Sequence, residues 1–212
     1  MQKLIDGYRR FRAEIFPGMR DHFHLLAESQ SPQFLFITCC DSRVVPDLIF
    51  QTEPGDMFLC RNVGNVVPPA GELGRGGTSA TIEYAVEVLK VPHIIICGHS
   101  DCGAVRAAMQ PELARHLPLV RPWLHYVEEA QAAGTRALPS TCNSDAELRE
   151  CVHANVVGQL ANLRTHASVA RALAAHTLQI HGWYYDILSG AVEAYAPDQR
   201  AFVPLESTTA TQ

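Results

Sequence analysis

Three short apolar runs stand out along the chain, each rich in branched or aromatic residues: Phe34-Leu-Phe-Ile-Thr-Cys39, Met57-Phe-Leu-Cys60-Arg61 and His93-Ile-Ile-Ile-Cys97-Gly98. The first and third read as buried strands, as in a parallel sheet, and the second as a further strand. Between and after them the spacing becomes helical. Residues 3 to 28 place Leu4, Ile5, Tyr8, Phe11, Ile15 and Phe16, then Met19, Phe23, Leu25 and Leu26, on amphipathic faces broken at Pro17-Gly18, which predicts two helices. They either pack on the chain's own core or form an arm on a second subunit. Further helices are expected at about 78 to 90, from Gly103 onward, within 118 to 142, up to about 165, and at 168 to 175. The long one is announced by Ser144-Asp-Ala-Glu147, a capping-box pattern ahead of Leu148, Val152, Val156, Leu160 and Leu163. Weak alternation over 178 to 188, a Ser189-Gly190 turn and the segments 191 to 195 and 201 to 204 predict a hairpin with a returning strand. Strands interleaved with helices make an α/β domain.

Two of the buried runs end in metal-ligand residue types. The first delivers Cys39-Cys40-Asp41-Ser42-Arg43, the third His99-Ser-Asp-Cys102-Gly103. Ligands at the carboxyl ends of parallel strands converge on one edge of the sheet. Two thiolates, one imidazole and at most one carboxylate favour zinc. With Asp41 bound, the site is closed; with Asp41 held by the planar fork of Arg43, a fourth position opens to water and the site is catalytic. The glycine-rich segment Gly71 to Gly77 lacks the Gly-Lys-Ser/Thr ending of a phosphate loop, so a tight loop ahead of a helix is the economical account.

Composition narrows the function classes. The 212 residues carry a formal net charge of -5, and 47% are hydrophobic, which suits one globular domain and offers no basic field for nucleic acid. No run spans a bilayer and the first residues lack a secretory h-region, so a cytoplasmic location is expected, with no membrane partner. Seven cysteines, clustered as Cys39/Cys40 and Cys97/Cys102, resemble ligand spacing more than a disulfide framework, and reduced thiols are expected. Cys40, Cys60 and Cys97 read as buried apolar thiols, Ser42 as a structural hydroxyl, Asp101 as a loop residue or helix cap, and Trp123 and Trp183 as packing residues.

The paired Cys39-x-Asp41-x-Arg43 and His99-x-x-Cys102 segments resemble those of a β-class carbonic anhydrase. The likeness extends through Arg61-Asn62-Val63-Gly64-Asn65, Ile82-Glu-Tyr84-Ala and His181-Gly-Trp-Tyr-Tyr185, roughly residues 25 to 205. It implies a mostly parallel sheet flanked by helices in one domain over 1–212, with residues 1–28 as a helical arm packing on a partner subunit and 206–212 as a flexible tail. It further implies a homodimer or dimer of dimers, and one Zn2+ per chain on Cys39, His99 and Cys102, with Asp41 a ligand only in the closed state. By the same resemblance Asp41 and Arg43 are catalytic, and Gln30, Phe58, Val63, Tyr84 and Gly103 line the carbon dioxide pocket, some of them from the neighbouring subunit. Two departures stand out. Cys40 replaces the common Ser, and Phe36 stands where the bicarbonate-regulated branch carries Trp, although Arg61 and Tyr185 are compatible with that regulatory site; the unregulated branch is expected.

The reaction expected is reversible hydration of carbon dioxide to bicarbonate and a proton by zinc-bound hydroxide. The rivals are a hydrolase of carbon disulfide or carbonyl sulfide on the same fold, a non-catalytic structural zinc domain, and a thiol-redox protein using Cys39/Cys40. The last lacks a Cys-x-x-Cys pair.

Overall fold

The computed structural model describes residues 1–71, 76–132 and 144–207. The chain divides into two compact units, Met1–Ser31 and Pro32–Gln212. In the first, α1 (Gln2–Arg10) continues through a π turn (Phe11–Ile15) and a 3-10 turn (Phe16–Met19) into α2 (Arg20–Glu28). Pro17 falls in the first turn of the 3-10 segment, where its missing N–H costs nothing, so the break predicted at Pro17-Gly18 is a change of helix type. Phe11, Phe16 and Phe23 meet with ring centroids 5.4 to 6.2 Å apart, but no residue of α1 or α2 is buried.

The second unit is built on a six-stranded sheet of order β2-β1-β3-β4-β5-β6. Its elements run β1 (Phe34–Cys39), α3 (Pro46–Phe50), β2 (Met57–Asn62), α4 (Gly77–Glu87), β3 (His93–His99), α5 (Gly103–Met109), α6 (Val120–Ala132), α7 (Asp145–Arg164), α8 (Ala167–Ala174), β4 (Gln179–Tyr185), β5 (Val192–Ala196) and β6 (Ala201–Pro204). β2, β1, β3 and β4 are parallel; β5 and β6 add antiparallel at the far edge. The three apolar runs thus became neighbouring strands, and the 178–188 segment became β4, parallel to β3 on one side and antiparallel to β5 on the other. Of the 118–142 connector, 120–132 is α6; positions 133–143, with Cys142, lie outside the described residues. So do 72–75 of the glycine-rich loop and 208–212 of the expected tail.

Alternation along β1 divides the core. Leu35 and Ile37 join Ile94, Ile96, Ile82, Val156 and Leu160 beneath α4 and α7, while Phe36 turns to the opposite face with Ile95, Cys97, Phe50 and Trp183. The capping box forms as predicted: Ser144 Oγ accepts from Glu147 N at 3.2 Å, and Glu147 Oε2 accepts from Ser144 N at 3.0 Å. Helix α7 lies so close to the sheet that a Cβ on Gly98 would sit 2.7 Å from Val152 Cγ1 and 2.9 Å from Val156 Cγ2. Glycine just before His99 therefore lets α7 rest directly on the end of β3. The thiols depart from expectation at one place: Cys39, Cys40, Cys60, Cys97 and Cys102 are free, but Cys151 is disulfide-bonded.

Candidate metal centre

Strand register brings the ligand types together. Thr38 pairs with Cys97, so Cys39 lies beside Gly98, and His99 is one residue further on. Cys102 follows after a turn in which Asp101 takes φ 54°. The ligand atoms of Cys39, His99 and Cys102 all lie within 4.8 Å of one another, and all three residues are buried. The Cys102 thiol above all, and after it His99 and the Gly64 N–H at 3.4 Å, pull the Cys39 thiol well below its ordinary value against the opposing effect of burial. Cys102 is pushed up by its bond to Cys39 and by burial, although backbone N–H groups of Val105 and Ala104 oppose the shift.

His99 is wholly buried, and its Nδ1 lies 2.8 Å from the Ser100 carbonyl. A carbonyl only accepts, so Nδ1 carries the proton and Nε2 keeps its lone pair. Nε2 is a buried nitrogen without a hydrogen-bond partner, on the side of the thiols. An orphaned acceptor between two sulfurs fits a tetrahedral metal with Zn–S of about 2.3 Å and Zn–N of about 2.0–2.1 Å. Ser100 is itself pinned, since its N–H donates to Tyr185 O at 2.9 Å and its Oγ accepts from Ile187 N at 2.8 Å. The end of β4 thus fixes the carbonyl that fixes the imidazole.

Asp41 stands beside the cluster but is engaged elsewhere. Arg43 donates to it three times, from Nη2 to Oδ2 at 2.8 Å, from Nε to Oδ1 at 2.9 Å and from its backbone N at 3.0 Å. These bonds hold the Asp41 carboxyl far below the usual carboxylate range, despite some burial, and raise the guanidinium of Arg43 in turn. Asp41 Oδ2 remains 3.9 Å from His99 Nε2. Arg43 also reaches Asp101 Oδ2 at 3.0 Å, and Asp101 Oδ1 accepts from Arg106 at 2.9 Å. Asp101 is more than the loop residue or cap expected of it: it ties both arginines to the turn between two ligands. No sequence spacing announces this, because Arg43 and Asp101 meet only across the sheet.

A second feature missed in the sequence supports the Gly64 donor. On α7, Asn155 donates to Gly64 O at 3.1 Å, Gln159 accepts from Val67 N at 2.7 Å, and Asn162 donates to Val67 O at 3.0 Å. Three amides spaced four and three apart on an otherwise apolar helix face are a readable signal of a held loop. Gly64, at φ 84°, has the left-handed conformation that favours glycine and would place a Cβ 3.0 Å from Ala104 Cβ.

The carbonic anhydrase family model matches residues 34–192. A carbonic anhydrase of Pseudomonas aeruginosa is 47% identical over 205 residues, covering 97% of this chain and 92% of its own length. The solved β-carbonic anhydrase CcaA superposes with a TM-score of 0.89 at 39% identity, covering 96% of this chain and 98% of that one. The chain belongs to the β-class carbonic anhydrases. A further solved structure, of tetrameric β-carbonic anhydrases from Sordaria macrospora, matches at TM-score 0.72 and 30% identity over 91% of this chain and 92% of that one.

The remaining residues expected of a β-class carbonic anhydrase fall in different surroundings. Phe58 and Tyr84 pair with ring centroids 6.0 Å apart, and Tyr84 is 45% exposed. Val63 is exposed, its carbonyl taking a 2.8 Å bond from Trp123 Nε1, so Trp123 does more than pack. Gly103 opens α5 directly after Cys102. Gln30 is exposed in the N-terminal unit. Cys40, expected to be buried, is exposed: it follows Cys39, the last residue of β1, beyond the strand's buried run. Cys60 and Cys97 are buried as expected, and burial pushes the Cys97 thiol up to about 12.

Proposed function

We propose that the protein catalyses reversible hydration of carbon dioxide to bicarbonate and a proton, with one zinc ion per chain held by Cys39, His99 and Cys102. The observation that carries the reading is the buried thiol–imidazole cluster with its unpartnered His99 Nε2, next to a carboxylate already taken up by Arg43. Zinc in this position supplies the Lewis acidity that makes water a nucleophile near neutral pH. Asp41, kept anionic by Arg43, acts as an acceptor that orients the attacking O–H. Phe58, Val63 and Tyr84 offer an apolar surface to an apolar substrate, with Gly103 beside the ligand loop. Engagement of Asp41 by Arg43 favours this open arrangement over a closed structural zinc site.

Exposed apolar groups on both units, among them Leu4 and Tyr8 on α1 and Leu59 and Val88 on the second unit, favour a homodimer or dimer of dimers in which residues 1–28 serve as an arm on the partner. The unregulated branch is supported by Phe36, which is fully buried against Phe50 and Trp183 and offers no polar atom, and by Arg61, whose guanidinium is spent on the Cys39 and Asp41 carbonyls. No helix of the described residues is long and apolar enough to cross a membrane. Five of the described cysteines are free, which supports a cytoplasmic setting, while the disulfide at Cys151 runs against it. Stopped-flow carbon dioxide hydration across pH, on protein whose zinc has been quantified, tests the proposal: about one zinc per chain with turnover rising through neutral pH is expected, and active zinc-free protein or inactive zinc-loaded protein overturns it.

A further inference from the structure

A second meeting of ring nitrogens lies at the opposite end of the sheet. His93 opens β3 and His181 is the third residue of β4. The parallel register sets His93 against Gln179, and residues two apart on a strand share a face, so His93 and His181 are diagonal neighbours. His181 Nε2 and His93 Nδ1 are 3.3 Å apart, with ring centroids separated by 5.3 Å. Both rings have aromatic neighbours: Phe34 stacks on His93 at 5.7 Å and Trp183 lies 6.4 Å from His181.

The separation is long for a hydrogen bond. Two nitrogens bound at 2.0–2.1 Å to one tetrahedral metal are about 3.3–3.4 Å apart. Both histidines border a cavity of about 800 Å3, together with Gln179 and Tyr195, which leaves room for waters to complete a coordination shell. Arg164 lines the same cavity, so imidazole lone pairs and not a negative field must supply the attraction. Burial, and then the charge of His93, lower the pKa of His181, which keeps it in the neutral form that ligates.

We infer that His93 Nδ1 and His181 Nε2 are the two protein ligands of a second, water-completed site for zinc or a similar borderline divalent cation, separate from the Cys39–His99–Cys102 centre. With two protein ligands against three, it binds more weakly than that centre. The test is calorimetric titration of zinc-loaded protein with further Zn2+, on wild type, His93→Asn and His181→Asn. Wild type should take up one additional equivalent per chain, and each variant should bind it roughly tenfold more weakly or worse. Because a variant may lose its fold, the wild type is also titrated with Co2+: occupancy should give d–d absorption without a thiolate charge-transfer band and quench Trp183 fluorescence. If wild type takes up no further metal, or both folded variants bind it as tightly, the pair is an N–H···N contact and the inference fails.

Discussion

The two ends of β3 and β4 use the same side chain in opposite ways. At the carboxyl end His99 is wholly buried, its Nδ1 fixed by the Ser100 carbonyl and its Nε2 presented to two sulfurs. At the amino end, six residues back and roughly 20 Å away, half-buried His93 and His181 face each other with neither thiol nor carboxylate in their 3.3 Å contact. The difference lies in what the strands run into. The carboxyl end of β3 leads into the start of α5, whose Ala104 and Val105 N–H groups reach Cys102, and backbone donors of this kind favour thiolates. An imidazole's role is therefore set by the group at its other nitrogen and by which end of the sheet it occupies.

The largest effect should come from removing a ligand at the carboxyl end. Cys102→Ser is expected to lose zinc and to lower hydration by a factor on the order of 10^3 or more, since the metal contributes several kcal/mol at the transition state. Metal analysis alongside stopped-flow rates checks this; a zinc-free variant with near-native turnover would break the contrast between the two ends. Arg43→Ala comes next. It frees Asp41 to reach the metal, so zinc should be retained while turnover falls roughly 10^2-fold, about 3 kcal/mol. Wild-type rates in that variant would mean that Arg43 does not control Asp41.

Gly98→Ala tests the packing behind His99 and not its ligands. The new Cβ meets Val152 and Val156 at 2.7 and 2.9 Å, so α7 or β3 must shift, at a cost of about 1–3 kcal/mol in unfolding free energy. Denaturant melts of the zinc-loaded protein measure it, and an unchanged midpoint would show that α7 yields without penalty.

How much of this was readable from residues alone depends on the range of the interaction. The strands β1, β2 and β3, the capping box at Ser144 and the Cys39/His99/Cys102 set were legible because each rests on a short pattern: an apolar run, a four-residue cap, ligand types at strand ends; that β2 is an edge strand with only Cys60 buried was not. Cys40 was misplaced because the buried run ends at Cys39, and a second cysteine directly after it gives no sign of where the strand stops. Asp101 was undervalued because its partners, Arg43 and Arg106, sit 58 and 5 residues away, and only the fold brings the first of them within 3.0 Å. The disulfide at Cys151 ran against a reading based on cysteine spacing near the strands. The α7 amides were visible as polar positions, but that they grip the loop carrying Gly64 follows only once α7 is seen to rest on β3.

The smallest predicted effect concerns the amino end and has a definite sign. His181 titrates below its ordinary value of about 6.5, chiefly through burial and secondarily through the charge of His93. In the unfolded chain it keeps the ordinary value, so as pH falls below about 6.5 the unfolded state takes up the proton first. Stability from this group is therefore intact above that pH and declines as pH falls towards the folded value, by at most about 1.4 kcal/mol per pH unit. His181→Gln removes the titration. Unfolding free energies of wild type and variant, measured between pH 5 and 7 with zinc held at one equivalent per chain, should differ in slope, the wild type losing more on acidification. The Cys39, His99 and Cys102 ligands contribute equally to both curves, so their own pH dependence cancels in the difference. Parallel curves would mean that His181 is no harder to protonate than a free histidine, and the two ends of the sheet would then differ in ligands but not in the environment that burial gives an imidazole.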